Sequence, residues 1–194
     1  MNLRKRPRSG ATVKTFPIGR LLHRISLLAI ATVAALSLPP REARADGAQI
    51  ARGRYLVQIA GCNDCHTPGY FRGMPDTSRY LSGSDVGFTL PDGGVVIGSN
   101  LTPDKETGLG GWTVEQIARA IQTGVRPDGR VLAPIMPYTA FAHLTSSDAT
   151  AIAVFLKTLA PIKRQIPGPF TAKQKANVFR LQVLPPETPA AAGH

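Results

Sequence analysis

The chain has 194 residues, of which 43% are hydrophobic, and it carries a formal net charge of +11. This length suits a single domain with appendages, and the hydrophobic content is sufficient for a packed core. Residues 1–45 hold nine basic side chains and one acidic side chain, so they supply +8 of the +11. Because no basic patch interleaved with aromatic residues stands out elsewhere, the composition argues against nucleic acid as a partner.

Residues 1–45 have the layout of an export signal. A basic stretch is followed by an apolar run of fourteen residues, ISLLAIATVAALSL at 25–38, and then by the small-x-small site ARA at 43–45. The run is shorter than the roughly 20 residues that cross a bilayer. We therefore predict a signal peptide at 1–45, with an uncleaved single-span anchor as the alternative. Export would place the cysteines of the mature chain in an oxidising compartment.

The first part of the mature chain predicts a helix followed by a long loop. Residues 48–60 place apolar side chains at helical spacing, although Gly53 has a low helix propensity. Residues 67–111 are rich in Gly, Pro, Asp and Ser, and a turn at 91–94 separates two short β-like runs. We expect an ordered loop with at most one short hairpin.

Two further helices are predicted by their end signals. One begins after Thr113, which can form a capping box with Gln116, and ends at Gly124. The other begins after Thr145 and is stopped by Pro161. The mature chain is therefore predicted to be all-α, with about three core helices joined by long loops.

The mature chain divides by composition into two parts. Residues 46–160 contain the three predicted helices and have nearly balanced charge, whereas residues 161–194 hold five basic residues and one acidic residue and contain several prolines. We predict one domain at 46–160 and a basic, Pro-containing extension at 161–194, folded as a short helix or an extended strap. The charge of this extension suits either docking to an acidic partner or simple solvation.

Both cysteines of the chain lie in the stretch IAGCNDCHTPGY at 59–70. A Cys-x-x-Cys pair can be a redox dithiol, half of a zinc site, a disulfide or the attachment point of a haem. A thioredoxin-like dithiol follows a strand in a βαβ unit, whereas the pattern before this pair is helical. A zinc site needs four ligands, and the sequence offers no second ligand pair. A disulfide across two residues closes almost no loop and stabilises little.

The residue after the second cysteine is a histidine, which favours haem c. Cys62 and Cys65 can place both sulfur atoms on one side of a helical turn, where they can form thioether bonds to the two vinyl groups. His66 can then ligate the iron from below the ring. The chain contains one such motif, so it predicts one covalently attached haem.

The sixth iron ligand decides what the iron can do. Met136 lies between two prolines in VLAPIMPYTAF at 131–141, and its position between two predicted core helices suits the face opposite His66. Met74 follows His66 by only eight residues and is expected at the haem edge or the surface. His143 is expected to be a satisfied or exposed side chain. We therefore predict His66 and Met136 as the two axial ligands.

Four segments resemble a known family. The motif GCNDCHTPG, the segments SNLTPDKETGLGGWTVEQIARAIQTGVRPDGR and LTSSDATAIAVFLKTLAPI, and the hexapeptide APIMPY are similar to single-haem class I c-type cytochromes of Gram-negative bacteria. The similarity is greatest to the cytochrome c domains and subunits of periplasmic or membrane-associated dehydrogenases, such as those for alcohols, gluconate and aldehydes. Those subunits often carry three haem motifs, whereas this chain has one.

The resemblance implies a cytochrome c fold around the haem and a role in single-electron transport rather than catalysis. The electron donor would be a dehydrogenase, and the acceptor would be another cytochrome or a terminal oxidase of the respiratory chain. The implied location is the periplasm, with possible membrane association through a partner or an uncleaved signal. The alternative function is a haem enzyme or ligand sensor whose sixth ligand can be displaced.

The resemblance also places Asn100 and Trp112 near the haem propionates. Asn100 offers amide donors in a loop, and Trp112 has an indole N–H beside a large apolar body. The other interpretation of Trp112 is a core anchor for the helix that begins after Thr113. Both residues are therefore candidates for cofactor binding, together with Cys62 and Cys65.

Overall fold

The structure is a computed structural model that describes residues 41–186, with side chains from residue 46 onward. The predicted signal peptide at 1–45 therefore lies almost entirely outside the described residues, as does the end of the C-terminal extension. None of the helices within 41–186 combines the length and apolarity needed to cross a membrane. The elements of this range are α1 (Arg41–Ile59), α2 (Cys62–His66), β1 (Val86–Thr89), β2 (Val95–Ile97), α3 (Val114–Thr123), α4 (Tyr138–Phe141), α5 (Ser146–Lys157) and β3 (Phe179–Leu181).

The hydrophobic core lies where α1, α3 and α5 pack together. Gly53 permits this packing, because a Cβ at that position would lie 1.9 Å from the carbonyl oxygen of Ala151 in α5. The low helix propensity of Gly53 is thus offset by the close approach of two helices. An ion pair of 2.8 Å between Arg52 and Asp148 joins the same helices at the surface. The core they enclose includes Leu56, Val57, Ile117, Ile152, Phe155 and Leu156.

The starts of α3 and α5 follow their predicted caps. The Gln116 N–H donates to the Thr113 hydroxyl at 3.2 Å, and the Thr113 N–H donates to the Gln116 side chain at 2.9 Å. Gly124 ends α3 in the left-handed region, with a φ of 71°. The Asp148 N–H donates to the Thr145 hydroxyl at 3.1 Å and caps α5. The predicted capping box and both helix starts are confirmed.

The C-terminal end of α5 differs from its prediction. Pro161 is not the residue that stops the helix, because α5 already ends at Lys157. The Lys157 ammonium donates to the carbonyl oxygens of Gly110 and Trp112, both at 3.0 Å, and to that of Leu109 at 3.4 Å. These bonds tie the end of α5 to the loop that leads into α3.

A small sheet accompanies the helices, so the all-α prediction is correct only in part. The predicted hairpin is present: β1 and β2 pair antiparallel, with Phe88 opposite Val96. β3 pairs parallel with the other edge of β1, with Arg180 opposite Gly87, and gives the strand order β2-β1-β3. The sequence did not predict β3, because its three residues are all exposed and show no alternation of buried and exposed positions.

The segment at 161–186 runs along the domain and is fixed to it. The Arg164 guanidinium donates to three consecutive carbonyl oxygens, those of residues 82–84. Phe170 and Val95 form an antiparallel bridge, with both N–H groups 2.9 Å from their acceptors. Contacts therefore cross the boundary that the composition predicts at residue 160.

Candidate cofactor site

The Cys-x-x-Cys-His motif forms the short helix α2. Gly61 adopts the left-handed conformation, with a φ of 65°, and turns the chain from α1 into α2. Cys62 and Cys65 lie about one helical turn apart, and both are partly buried free thiols. The Leu81 N–H donates to the hydroxyl of Thr67, the residue after the motif, at 2.9 Å. This bond joins the end of α2 to the loop that follows it.

His66 is buried, and one of its ring nitrogens is held by the protein. Nδ1 donates to the carbonyl oxygen of Ser99 at 2.7 Å, because a carbonyl can only accept. In the neutral ring, the lone pair is then on Nε2, as in histidines that ligate a metal through Nε2. Burial lowers the pKa of His66 despite the opposing hydrogen bond to Ser99, so the ring is neutral at pH 7.

Gly98 brings the loop after β2 against the motif. A Cβ at this position would lie 1.6 Å from the Cys65 carbonyl oxygen and 3.4 Å from His66 Nδ1, so a side chain is excluded. Because Gly98 directly follows β2, the hairpin delivers the Ser99 carbonyl to the histidine ring. Neither Gly98 nor Ser99 was identified from the sequence, where a Gly-Ser pair after a short strand was the available signal.

The thiols of the motif lie in an environment that keeps them protonated. Burial is the largest cause that raises the pKa of Cys62 to about 11, and burial also raises the pKa of Cys65. Redox-active Cys-x-x-Cys pairs have lowered thiol pKa values instead. This environment therefore argues against a redox dithiol. Within the described side chains, no group of three or more His, Cys, Asp or Glu is placed to hold a metal ion.

The second predicted axial ligand lies on the loop that connects α3 to α4. Met136 is partly buried, and its N–H donates to the Ala133 carbonyl oxygen at 2.9 Å. The Tyr138 ring follows in α4 and packs on Gly124 at the end of α3, where a Cβ would lie 2.7 Å from the ring. This packing fixes the end of the loop where it enters α4. Met136 and His66 lie on separate elements, and axial ligation by Met136 stays a prediction.

The side chains that compete with Met136 lie at the surface. Met74 is 72% exposed, in the loop that follows the helical turn Tyr70–Arg72. His143 is exposed just after α4. The third histidine of the mature chain, His194, lies outside the described residues.

Asn100 is buried, and protein groups occupy its amide. Nδ2 donates to the Ile162 carbonyl oxygen at 2.7 Å and to the Thr107 hydroxyl at 3.1 Å. Oδ1 accepts from the Thr102 N–H at 2.9 Å and from the Thr102 hydroxyl at 2.8 Å. Both donors and both lone pairs are therefore used, and the amide has no free donor for a propionate in this arrangement. Its visible role is to fix residue 162 to the loop that holds Ser99.

Trp112 lies directly before the cap of α3 and packs against the core. The Arg126 guanidinium lies over the Trp112 ring, 5.1 Å from the ring centroid. Arg126 Nε is buried and lies 3.3 Å from an Asp128 carboxylate oxygen without a well-directed hydrogen bond. Trp112 thus anchors α3, and its contact with a propionate stays a prediction. Arg126 was not identified from the sequence.

Comparisons with known proteins show that the chain is similar in sequence to several cytochromes. It is 32% identical over 163 residues to the fructose dehydrogenase cytochrome subunit of Gluconobacter japonicus, and the match covers 81% of this chain. It is 32% identical over 151 residues, 75% of this chain, to the cytochrome c subunit of alcohol dehydrogenase (quinone) from Gluconobacter oxydans. It is 33% identical over 120 residues, 60% of this chain, to a diheme cytochrome c-type protein of Cereibacter sphaeroides. The chain is related to the cytochrome c subunits of bacterial dehydrogenases.

The match to these cytochromes is partial in length. The aligned regions are 32%, 30% and 38% of the three relatives, so the chain spans about a third of their length. No protein-family model matches the chain. The resemblance found in the sequence is confirmed by these relatives, whereas the number of haems is not fixed by them, since one relative is diheme by name.

The residues of the motif fit the haem c that a cytochrome relationship implies. Two free thiols lie one turn apart, and the histidine beside them is bonded at Nδ1 so that Nε2 carries the lone pair. This is the donor set of a covalently attached haem with one histidine ligand. The hydrogen bond from the histidine to a backbone carbonyl, which orients such a ligand, is already formed.

Proposed function

We propose that the chain binds one haem c and transfers single electrons from a dehydrogenase towards the respiratory chain. The observation that carries this proposal is the 2.7 Å hydrogen bond from His66 Nδ1 to Ser99, which leaves the lone pair on Nε2 of the histidine that directly follows Cys65. We take the cytochrome domain to be residues 46–160, with 161–194 as an extension whose residues 162–181 contact it.

Each residue of the site has a distinct task in this proposal. Cys62 and Cys65 would hold the haem through thioether bonds, and His66 and Met136 would be the axial ligands. When bound, the haem supplies an iron that changes between the ferric and ferrous states. Because the Ser99 carbonyl fixes the His66 ring, the ligand needs no reorientation when the charge of the site changes. A methionine as sixth ligand would close the site and raise the reduction potential.

The proposed partners follow from the named relatives and from the export signal. Relatives that are cytochrome subunits of fructose and alcohol dehydrogenases support a dehydrogenase as electron donor. Another cytochrome or a terminal oxidase would be the acceptor. We place the protein in the periplasm, where association with the membrane would come through a partner or an uncleaved signal.

A haem enzyme or ligand sensor is the second candidate function. It is favoured by one observation: Met136 is only partly buried, and both neighbours in its loop, Ile135 and Pro137, are exposed. A loop of this kind could release the methionine and open the sixth position to a small ligand.

The visible spectrum of the exported protein tests the proposal. We expect colour that stays with the chain after extraction with acidified solvent, sharp bands of c type, and a far-red thioether-to-iron band. Met136→Ala should remove the far-red band, whereas the control Met74→Ala should keep it. Extractable haem would contradict attachment through Cys62 and Cys65. A high-spin spectrum that changes on adding carbon monoxide would instead support the sensor or enzyme.

A further inference from the structure

The last described residues present an apolar row beside basic side chains. We propose that β3 and the cavity beside it form a docking surface for an extended, acidic segment of a partner protein. The inference rests on the proposed function only in taking that partner to be a redox protein. We call the docking surface, defined by Arg72, Lys175, Phe179, Arg180, Leu181 and Val183, the β3 surface.

The apolar residues of the β3 surface are exposed to an unusual degree. Phe179 is 66% exposed, Leu181 is 42% exposed and Val183 is 97% exposed. Their spacing of two residues places Phe179 and Leu181 on one face of the strand. Contiguous exposed apolar side chains in a soluble domain mark interaction sites.

The backbone of this segment is available for pairing. β3 pairs with β1 on one edge only, within the sheet order β2-β1-β3 of the described residues. Residues 182–186 make no backbone hydrogen bond to another described residue. An extended segment can therefore add to the free edge of β3, which is a recurrent mode of peptide recognition.

The charge of the segment selects the partner. Residues 161–186 contain five basic residues and no acidic residue. Lys163 pairs with Glu106 at 2.6 Å and Arg164 binds carbonyl oxygens, whereas Lys173, Lys175 and Arg180 form no ion pair with another described residue. A second copy of β3 would bring like charges together, which is unfavourable across paired strands. An acidic partner is attracted instead.

A cavity next to β3 offers a place for a carboxylate of the partner. It has a volume of about 530 Å³, and its lining includes Arg72, Arg164, Asp85 and Phe179. Arg72 lies over the Phe179 ring, 5.6 Å from its centroid, and pairs with Asp85 at 2.6 Å. The cavity lining thus contains two guanidinium groups and one carboxylate, and the remaining N–H groups of Arg72 can donate to a second carboxylate.

The β3 surface is held in place before any partner arrives. Arg164 fixes the start of the segment to residues 82–84, and Phe170 fixes it to Val95. Binding to a fixed strand costs less conformational entropy than ordering a loose tail. The surface also lies on the sheet that carries the site. β2 lies about 10 Å from β3, across two strand spacings. β2 leads directly to Ser99, which holds His66. A partner on β3 is thereby bound next to the elements that hold His66.

The binding test uses the full exported chain and a defined probe. The probe is a fluorescein-labelled ten-residue peptide of alternating Val and Glu, titrated at low ionic strength. We expect the double variant Lys175→Gln/Arg180→Gln to bind it about tenfold more weakly, as for the loss of two favourable surface charges. Val183→Asn should also weaken binding. The control Lys105→Gln/Arg119→Gln removes two exposed charges elsewhere and should leave binding unchanged.

Other results of the same titration would overturn the proposal. Equal weakening in the control variant would show attraction by net charge alone. Unchanged binding of a peptide with alternate N-methylated residues would show that the peptide does not pair with the backbone of β3. Binding to vesicles of phosphatidylcholine with 30 mol% phosphatidylglycerol, without binding to the peptide, would identify a membrane surface instead. If the wild-type chain does not bind the peptide, the docking proposal is rejected as well. A visible spectrum of each sample shows separately whether the haem proposal holds.

Discussion

At the scale of single residues, Asn100 shows how one buried amide can join distant parts of the chain. Its four hydrogen bonds link residues 102, 107 and 162, so it fixes the C-terminal segment to the loop beside His66. The family resemblance placed Asn100 near the haem propionates, and that contact stays a prediction. A single position in a loop cannot show whether an amide faces a ligand or the protein's own backbone.

Removal of this amide should destabilise the whole domain. Asn100→Ala removes four hydrogen bonds and leaves the buried Thr102 N–H without its partner, at a cost of about 2–4 kcal/mol in the free energy of unfolding. Urea denaturation followed by circular dichroism measures this loss. The control Asn177→Ala, at an exposed position, should change stability by less than about 0.5 kcal/mol. Equal effects of the two substitutions would contradict the role of Asn100.

The carboxylate of Asp76 makes one contribution to stability that depends on pH. A hydrogen bond from the Ser78 side chain, followed by one from Arg79, lowers the pKa of Asp76 to about 2. A lowered pKa in the folded state stabilises the protein above the ordinary pKa, and this stabilisation is lost as pH falls through the folded value. Asp76→Asn should therefore be less stable than the wild type at pH 7, and the difference should disappear between about pH 4 and pH 2.

Urea midpoints of both proteins across this pH range provide the measurement. Ser78→Ala is the matched variant, because it removes the largest cause of the lowered pKa while keeping the carboxylate. We expect Ser78→Ala to reduce the pH-dependent part of the difference. A difference between wild type and Asp76→Asn that stays constant with pH would show that the charge of Asp76 has no part in it.

At the scale of elements, the contact between α1 and α5 depends on a residue without a side chain. Gly53→Ala would place a Cβ 1.9 Å from the Ala151 carbonyl oxygen, so the helices must separate. Such overpacking costs about 1–3 kcal/mol in stability. Gly47→Ala is the control within the same helix, because no atom lies within 4 Å of its added Cβ. Thermal unfolding should show a lower midpoint for Gly53→Ala and no decrease of the midpoint for Gly47→Ala.

The helices could be predicted because their signals are local. A capping box at Thr113 and a left-handed glycine at Gly124 need only neighbouring residues, and both are where the sequence placed them. The end of α5 was predicted at Pro161 but lies at Lys157, whose ammonium binds carbonyl groups that are far away in sequence, those of residues 110 and 112. For the same reason β3 was missed, since its pairing partner lies more than 90 residues earlier.

The candidate site was predictable to a similar extent. Cys62, Cys65 and His66 are adjacent in sequence, and one motif contains them all. The Ser99 carbonyl holds the ring, and the missing side chain of Gly98 lets the loop approach α2, but a Gly-Ser pair after a short strand is too common a pattern to identify either role. Their role became visible only once the hairpin placed them against α2.

At the scale of the whole molecule, residues 161–182 complete the domain rather than follow it. A chain ending at residue 160 loses the Ile162 carbonyl, the Arg164 guanidinium and the Phe170 bridge together. We expect this truncation to destabilise the fold by more than about 3 kcal/mol, since several buried hydrogen bonds are lost at once. A chain ending at residue 182 keeps them and should unfold like the full chain.

Urea denaturation of the two truncated chains measures the contribution of this segment. The chain ending at residue 182 also serves as the control, because residues 183–186 make no backbone hydrogen bonds to described residues. If the chain ending at residue 160 proves as stable as the full chain, the segment is an appendage, as its composition suggested. The visible spectrum of each chain would show whether the haem pocket depends on the same contacts.

The position of Ile162 also sets an order in time. A chain is made from its N-terminal end at about 5–20 residues per second, so Cys62–His66 appear some 5–20 seconds before residue 162. During that interval the amide of Asn100 lacks its acceptor, the Ile162 carbonyl oxygen, and the loop that contains Ser99 is not yet bonded to the C-terminal segment. The newly made chain therefore exposes the Cys-x-x-Cys-His motif before the fold of the domain is complete. An exported chain that emerges from its N-terminal end in the same order would present Cys62, Cys65 and His66 to haem attachment before Ile162 arrives.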